Sequence, residues 1–148
     1  MIDASTLKQL DLDGFQVVNS SLFCSMSSPT MSIWNDSISF SQATYIALNN
    51  CEAISIMVNH KTRSILIGTV QSSSPNAVAW KKGKEVVKYS KISCATFTRQ
   101  LFEEWGLDSE ARYKAIGRMV QAEKKVMILF EFANAEKWYG DKVVRNNE

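Results

Sequence analysis

The chain has 148 residues, of which 45% are hydrophobic and 22% charged, the composition of an ordinary globular protein rather than a disordered one. A net charge of +2 is too small to dictate an anionic partner by itself. The N-terminus lacks the basic and apolar regions of a secretory signal, and no apolar run approaches the ~20 residues that span a bilayer. We therefore predict one cytoplasmic domain over residues 1–148, with no membrane partner.

Short apolar runs separated by Ser, Asn and Gly predict a strand-rich N-terminal half. The predicted strands are 15–18, 22–26, 31–35, 37–40, 54–58 and 65–69. A short helix ends at Leu48, and Ser41 is expected to cap it because its hydroxyl can accept from a free backbone N–H. Strands 54–58 and 65–69 are predicted to form a hairpin with its tip at 60–63, and a surface loop at 71–76 follows them.

The C-terminal half carries the main predicted helix, Ala95–Trp105, in which Phe97, Leu101 and Trp105 recur every four residues. Gly106 supplies its left-handed cap. The other predicted elements are strands 85–92, 112–120 and 126–132 and a terminal helix over 133–139 closed by Gly140. Strand 126–132 is apolar on both faces except at Glu131, which places it centrally.

These elements predict an α+β fold. We expect a twisted antiparallel sheet of about seven or eight strands, with one main helix packed against it and further short helices.

The sequence offers no recognisable catalytic site. His60 is the only histidine, and Cys24, Cys51 and Cys94 show no CxxC spacing. Zinc takes about four N or S ligands, so a zinc site would need all of these residues. A thiol–imidazole pair would lack an orienting third group. With no phosphate-binding loop or HExxH motif, we predict a protein that is not an enzyme, has reduced structural thiols and uses no metal or cofactor.

Basic residues give the sharpest functional signal. Five lysines lie from residue 81 to residue 91, close to Trp80 and Tyr89. Three basic residues of predicted strand 112–120 are separated by even numbers of positions, so their side chains project from one face of the sheet. Such a surface could neutralise phosphates while its rings stack on bases. The predicted nucleic-acid or partner-binding residues are Trp80, Lys81, Lys82, Lys84, Lys88, Tyr89, Lys91, Arg112, Lys114 and Arg118. A solvated lysine-rich loop and a polar sheet face are the alternative interpretation.

The four tryptophans are expected to differ in exposure. Trp34, Trp105 and Trp138 lie in apolar patterns and are interpreted as core or rim residues. Trp80 lies between a loop and the lysine run, so we expect its ring to be exposed.

Several segments resemble small uncharacterised accessory proteins of phages and integrative mobile elements of Gram-positive bacteria. They are Ser37-Ile38-Ser39-Phe40-Ser41 with Tyr45 and Leu48, the hairpin 53–70, Arg112-Tyr113-Lys114-Ala115-Ile116-Gly117, and Leu129-Phe130-Glu131-Phe132 before Ala135. The resemblance covers about 31–136 and carries no functional residue across. It implies a genomic setting in which small proteins bind nucleic acid, regulate genes or block host defences.

We therefore expect a non-enzymatic phage or mobile-element accessory protein that binds nucleic acid or a nucleoprotein complex. The alternative is a protein inhibitor of a bacterial immune effector, of the anti-CRISPR kind, acting by protein–protein contact. A nucleic-acid binder should hold free DNA or RNA with strong salt dependence, whereas an inhibitor should ignore it. A homo-oligomeric state is compatible with either hypothesis.

Overall fold

The computed structural model describes residues 7–18, 28–80 and 91–144. These residues form ten strands, two α-helices and one 3₁₀ turn over Phe132–Asn134. In chain order the elements are β1 (Thr30–Ile33), β2 (Ser37–Phe40), α1 (Gln42–Ala47), β3 (Ala53–Asn59), β4 (Ser64–Val70), β5 (Val78–Ala79), β6 (Ile92–Ser93), α2 (Ala95–Trp105), β7 (Arg112–Ala122), β8 (Lys125–Glu131), β9 (Glu136–Tyr139) and β10 (Lys142–Val144).

The strands pair antiparallel into one sheet that curls into a half-barrel, in the order β5-β3-β4-β8-β7-β1-β2-β6. The predicted strand-rich antiparallel fold is confirmed, but the sheet has ten strands rather than the predicted seven or eight. Strand β7 connects two halves of the sheet, because residues 113–116 pair with β1 and residues 117–122 pair with β8. Strand β9 pairs with residues 112–114, and β10 with β9. We call β6, β2, β1, β9, β10 and residues 112–116 the β1 half, and β5, β3, β4, β8 and residues 117–122 the β8 half.

Alternating apolar side chains bury the inner face of the curled sheet. The core strands contribute Met31, Ile33, Ile38, Phe40, Ile54, Ile65, Ile67, Ile128 and Phe130, each at most 3% exposed. Full burial of such a side chain contributes about 1.5–3 kcal/mol. Strand β8 lies between β4 and β7, which confirms its predicted central position.

The main helix α2 has the predicted bounds. Leu101, Phe102 and Trp105 are buried in the core, and Phe97 is partly buried against it. Gly106 follows with φ +63°, the left-handed conformation that glycine adopts without a Cβ penalty.

The shorter helix α1 begins after Ser41 as predicted, but the predicted capping bond is wrong. The Ser41 hydroxyl accepts from the Thr30 backbone N–H at 2.9 Å rather than from a helix N–H. The hydroxyl therefore ties the start of α1 to β1. The helix ends before Asn49 and Asn50, whose positive φ angles break the helical path.

The turn between β7 and β8 and the crossing point of β7 depend on special backbone positions. Glu123 and Lys124 both have positive φ, as a two-residue type I′ hairpin requires. Gly117 faces inward where β7 passes from one half to the other. A Cβ on Gly117 would lie 2.6 Å from Ile128 Cγ2 and 2.7 Å from Phe130 Cε1, so any side chain there would collide with the core.

The predicted helix over 133–139 is wrong. After the 3₁₀ turn the chain forms β9 and β10, and Gly140, with φ +59°, lies in the turn between them. Pairing of β9 with residues 112–114 overrides the local helical preference, because it satisfies backbone groups along β7.

The predicted strand 15–18 is also wrong. These residues have no regular structure, and Val17 is fully exposed, so no buried face stabilises a strand. Its predicted partner, 22–26, lies outside the described residues. So does most of predicted strand 85–92, of which the structure describes only the end, including the start of β6. No helix among the described residues is long and apolar enough to cross a membrane.

Candidate nucleic-acid interface

Strand register places aromatic and charged side chains together on the outer face of the β1 half. Ser32 pairs with Lys114, Lys114 pairs with Glu136, and Arg112 pairs with Trp138. Side chains of directly paired residues project from the same face. We call this surface the cationic face; it consists of Trp34, Lys91, Arg112, Lys114, Glu136 and Trp138.

The centre of the cationic face is a guanidinium between two indoles. Arg112 Cζ lies 5.0 Å from the centroid of the Trp138 ring and 5.7 Å from that of Trp34. All three side chains are half-buried. A cation over an aromatic face gains about 0.5–2 kcal/mol, more as water is excluded. Arg112 lies on β7, Trp138 on β9 and Trp34 directly after β1, so the sheet sets their spacing.

Two N–H donors at this centre have no acceptor in the described part of the chain. Arg112 Nε and Trp138 Nε1 are both inaccessible to solvent and unpaired. Leaving a buried donor unsatisfied costs about 1–3 kcal/mol. Both atoms only donate, so the group that would satisfy them is an acceptor such as a phosphate or carboxylate oxygen.

Lys91 covers the second aromatic side chain. Its Nζ lies 4.2 Å from the centroid of the Trp34 ring, and the lysine is otherwise exposed. This contact places a further cation at the edge of the face. At an exposed site it contributes only about 0.5–1 kcal/mol.

The charges of the cationic face are unequal, with Lys91, Arg112 and Lys114 opposed by Glu136. Among the described residues the close contacts between basic and acidic side chains are His60–Glu104, Arg118–Glu131 and Lys137–Asp108, none of which uses a cation of this face. The three cations are therefore not neutralised by close carboxylates in the described structure. An anionic ligand would gain from all three.

The predicted exposure of Trp80 is wrong. The side chain is 1% exposed, and its ring lies 4.1 Å from that of Tyr45 and 5.2 Å from that of Phe40. Its indole N–H donates to the Cys51 carbonyl at 2.6 Å. The neighbouring lysines suggested a surface position, but pairing of β5 with β3 carries the following ring into the core. Trp80 is not available to stack on a base.

Arg118 shares the outer face of β7 with Arg112 and Lys114 but belongs to a different surface. It lies six residues along the strand from Arg112, about 20 Å away. There β7 is part of the β8 half, and Arg118 donates to Glu131 at 2.8 Å. The remaining predicted residues, Lys81, Lys82, Lys84, Lys88 and Tyr89, lie outside the described residues.

The structure thus brings together Lys91, Arg112 and Lys114 and adds residues that sequence reasoning did not include. Local sequence patterns favour a core or rim position for both Trp34 and Trp138 and place Trp138 on a helix. The pairing of β7 with β1 and β9 brings both tryptophans next to Arg112. Strands β1 and β7 are about 80 residues apart in the chain, so local periodicity does not contain that signal.

The described cysteines, Cys51 and Cys94, are partly buried against the core. Burial raises the pKa of the Cys94 thiol, and the nearby Asp36 raises it further, against a backbone hydrogen bond that lowers it. Activation of a nucleophilic thiol requires the opposite shift. His60 Nδ1 lies 2.7 Å from Glu104 Oε2 and 3.2 Å from Trp105 Nε1. The described residues contain no group of three or more potential metal ligands.

Comparison of the chain with protein-family models, with curated proteins and with solved structures found no match. The chemistry of the cationic face is therefore the basis for a functional proposal.

Proposed function

We propose that the protein is a non-enzymatic accessory protein that binds single-stranded nucleic acid, alone or within a nucleoprotein complex, through the cationic face. One observation carries the proposal. Arg112 lies between two indoles on a sheet face where Lys91 and Lys114 also lack carboxylate partners among the described residues. Proteins that bind single-stranded nucleic acid combine cations along its phosphate backbone with aromatic rings that stack on its bases.

Stacking on Trp34 requires that a base displace Lys91 from the ring. The lysine contact is worth about 0.5–1 kcal/mol at an exposed site, whereas a base stacked on an aromatic side chain contributes about 1–3 kcal/mol. Displacement is therefore favourable. The released ammonium lies beside the bound nucleotide, where it meets a phosphate.

Phosphate binding is assigned to Arg112 and Lys114. A small opening of the indole–guanidinium cluster would let a phosphate oxygen accept from Arg112 Nε and Trp138 Nε1, which have no acceptor among the described residues. Glu136, paired across the strands from Lys114, repels a phosphate at the β9 side. From a phosphate at Arg112 and Trp138, the nucleic-acid backbone is therefore expected to continue along β7 and β1 rather than along β9 past Glu136.

Fluorescence anisotropy with labelled single-stranded and double-stranded oligonucleotides at low salt tests the proposal. We expect the single strand to bind more tightly than the duplex. Replacing Trp34→Leu should weaken single-strand binding by about 1–3 kcal/mol, and Trp34→Phe, which keeps an aromatic ring, should retain most of the affinity. Equal affinities for Trp34→Leu and the wild type would exclude stacking on this residue.

A second candidate function is inhibition of a bacterial immune effector by protein–protein contact. The observation that favours it is the presence of Glu136 among the cations, since mixed charges suit a protein surface better than a polyanion. The unpaired donors of Arg112 and Trp138 would then bind a carboxylate of the effector. If no oligonucleotide binds at low salt, this function becomes the leading proposal.

A further inference from the structure

Residues 7–18 present a dense set of exposed apolar side chains. Six of them are more than half exposed: Leu7, Leu10, Leu12, Phe15, Val17 and Val18. Single exposed apolar residues are normal on a protein surface, but six within twelve consecutive residues are typical of a segment that binds a partner. We call residues 7–18 the docking segment.

A local turn organises the centre of the docking segment. The Phe15 backbone N–H donates to the Leu12 carbonyl at 3.0 Å, and the Asp13 N–H donates to Asp11 Oδ1 at 3.0 Å. Gly14 has φ +87°, which the third position of a type II turn requires. The turn presents Leu12 and Phe15 on its two arms. Because it is formed before binding, less conformational entropy is lost on docking.

The outer face of the β8 half contains a groove of about 500 Å³ that is open to solvent. Strand register aligns Met57 with Leu66 and Leu66 with Leu129, so three apolar side chains form a continuous floor. Met57 is 45% exposed. Polar residues surround this floor: Asn59, Thr62, Ser64, Arg118 and Glu131.

The docking segment and the groove are complementary in charge as well as in polarity. The β3–β4 hairpin tip at one end of the groove carries Lys61 and Arg63, both exposed. The docking segment carries Asp13 in its turn and Asp11 just before it, against one lysine, Lys8. Apolar side chains on the floor and opposite charges at one end would together fix the orientation of a docked turn.

We infer that the docking segment of one copy of the chain occupies the groove of a second copy. Among the described residues of one chain the segment is exposed and the groove is open, so a segment from a second molecule can enter it. Each copy supplies one segment and one groove. A two-fold arrangement uses both, and the resulting dimer buries two equivalent contacts.

Light scattering coupled to size exclusion, from micromolar to submillimolar protein, tests this inference on the full chain. The wild type should form a concentration-dependent dimer. Leu12→Glu in the segment and Met57→Glu in the groove should each weaken dimerisation by about tenfold or more. Both side chains are largely exposed, so folding should be retained, as circular dichroism would verify. Val126→Glu, a comparably exposed apolar position outside the groove, is the control and should dimerise normally.

Mixing the two variants distinguishes segment-in-groove docking from any other dimer. The Met57→Glu chain keeps an intact segment and the Leu12→Glu chain keeps an intact groove, so an equimolar mixture should recover a heterodimer through one contact. Failure to recover it would overturn the inference. A wild type that is monomeric at every concentration tested would also overturn it. A dimer unaffected by either substitution would do the same.

Discussion

The hydroxyl of Tyr45 donates to the backbone carbonyl of Trp80 at 2.7 Å, while their rings lie 4.1 Å apart. The contact joins α1 to the residue that follows β5. Burial raises the pKa of the Tyr45 hydroxyl, so it stays protonated and donates across the physiological range. Trp80 is therefore a core anchor, although its sequence neighbours are lysines.

Replacement of Trp80 should affect stability and leave binding unchanged. Trp80→Phe removes ring volume and the donor to the Cys51 carbonyl, so the free energy of unfolding should fall by about 2–4 kcal/mol. Urea denaturation measures this loss. Oligonucleotide affinity of the folded variant should equal that of the wild type. Reduced affinity with unchanged stability would mean that Trp80 contacts the ligand.

Leu101 tests the packing of α2. Because it is 1% exposed within the core, Leu101→Ala should lower the free energy of unfolding by about 2–5 kcal/mol. The exposed neighbour Gln100→Ala is the matched control and should change it by no more than about 0.5 kcal/mol. Equal stabilities of the two variants would place the face of α2 that carries Leu101 outside the core.

A substitution at Gly117 tests whether this residue faces the core where β7 passes from one half of the sheet to the other. Gly117→Ala places a Cβ against Ile128 and the rigid ring of Phe130, so we expect a loss of about 1–3 kcal/mol in unfolding free energy. Gly68→Ala is the control, because its nearest contact is the flexible end of Met127. Thermal melts should rank Gly117→Ala below Gly68→Ala. The reverse order would contradict the inward position of Gly117.

The contact between Asp108 and Tyr139 predicts a pH-dependent contribution to stability. The Tyr139 hydroxyl donates to Asp108 and is the main cause of the lowered carboxyl pKa, followed by the Glu110 backbone N–H. A carboxyl with a lowered folded-state pKa stabilises the fold above its unfolded value of about 3.9. That contribution is lost as the pH falls through the lower folded-state value.

Thermal melts of Asp108→Asn across pH measure this contribution. The variant should melt below the wild type at neutral pH, and the difference should shrink in acid. Asp141→Asn, in the exposed β9–β10 turn, serves as the control and should show a smaller difference at neutral pH. A difference for Asp108→Asn that is constant from neutral to acid pH would contradict the assigned cause.

Sequence periodicity predicted the elements whose pairing is local. The β3–β4 and β7–β8 hairpins and α2 were found because alternation, turn residues and a four-residue repeat lie within short windows. Strand β9 was missed because it is stabilised by residues 112–114, more than 20 residues away. Local propensity there favoured a helix, and tertiary pairing overrode it.

The candidate site was only partly predictable for the same reason. The shared parity of Arg112, Lys114 and Arg118 correctly placed them on one face of β7, but parity does not show where a strand changes partners. Arg118 therefore joins another surface. The tryptophans of the cationic face come from strands that meet Arg112 only through the sheet's register, which the sequence does not state.

The salt dependence of single-strand affinity tests the cationic face most directly. The double variant Lys91→Glu with Lys114→Glu should bind more weakly, and its log–log salt slope should fall by about 0.7 for each of the two phosphates that the lysines no longer neutralise. The matched control, Lys124→Glu with Lys125→Glu, makes the same charge change at the β7–β8 turn, about 25–30 Å along β7 from Lys114. We predict a wild-type slope for the control and a slope reduced by about 1.4 for the double variant. Equal slopes for the two variants, or no binding of any oligonucleotide to the wild type at low salt, would contradict nucleic-acid binding by the cationic face.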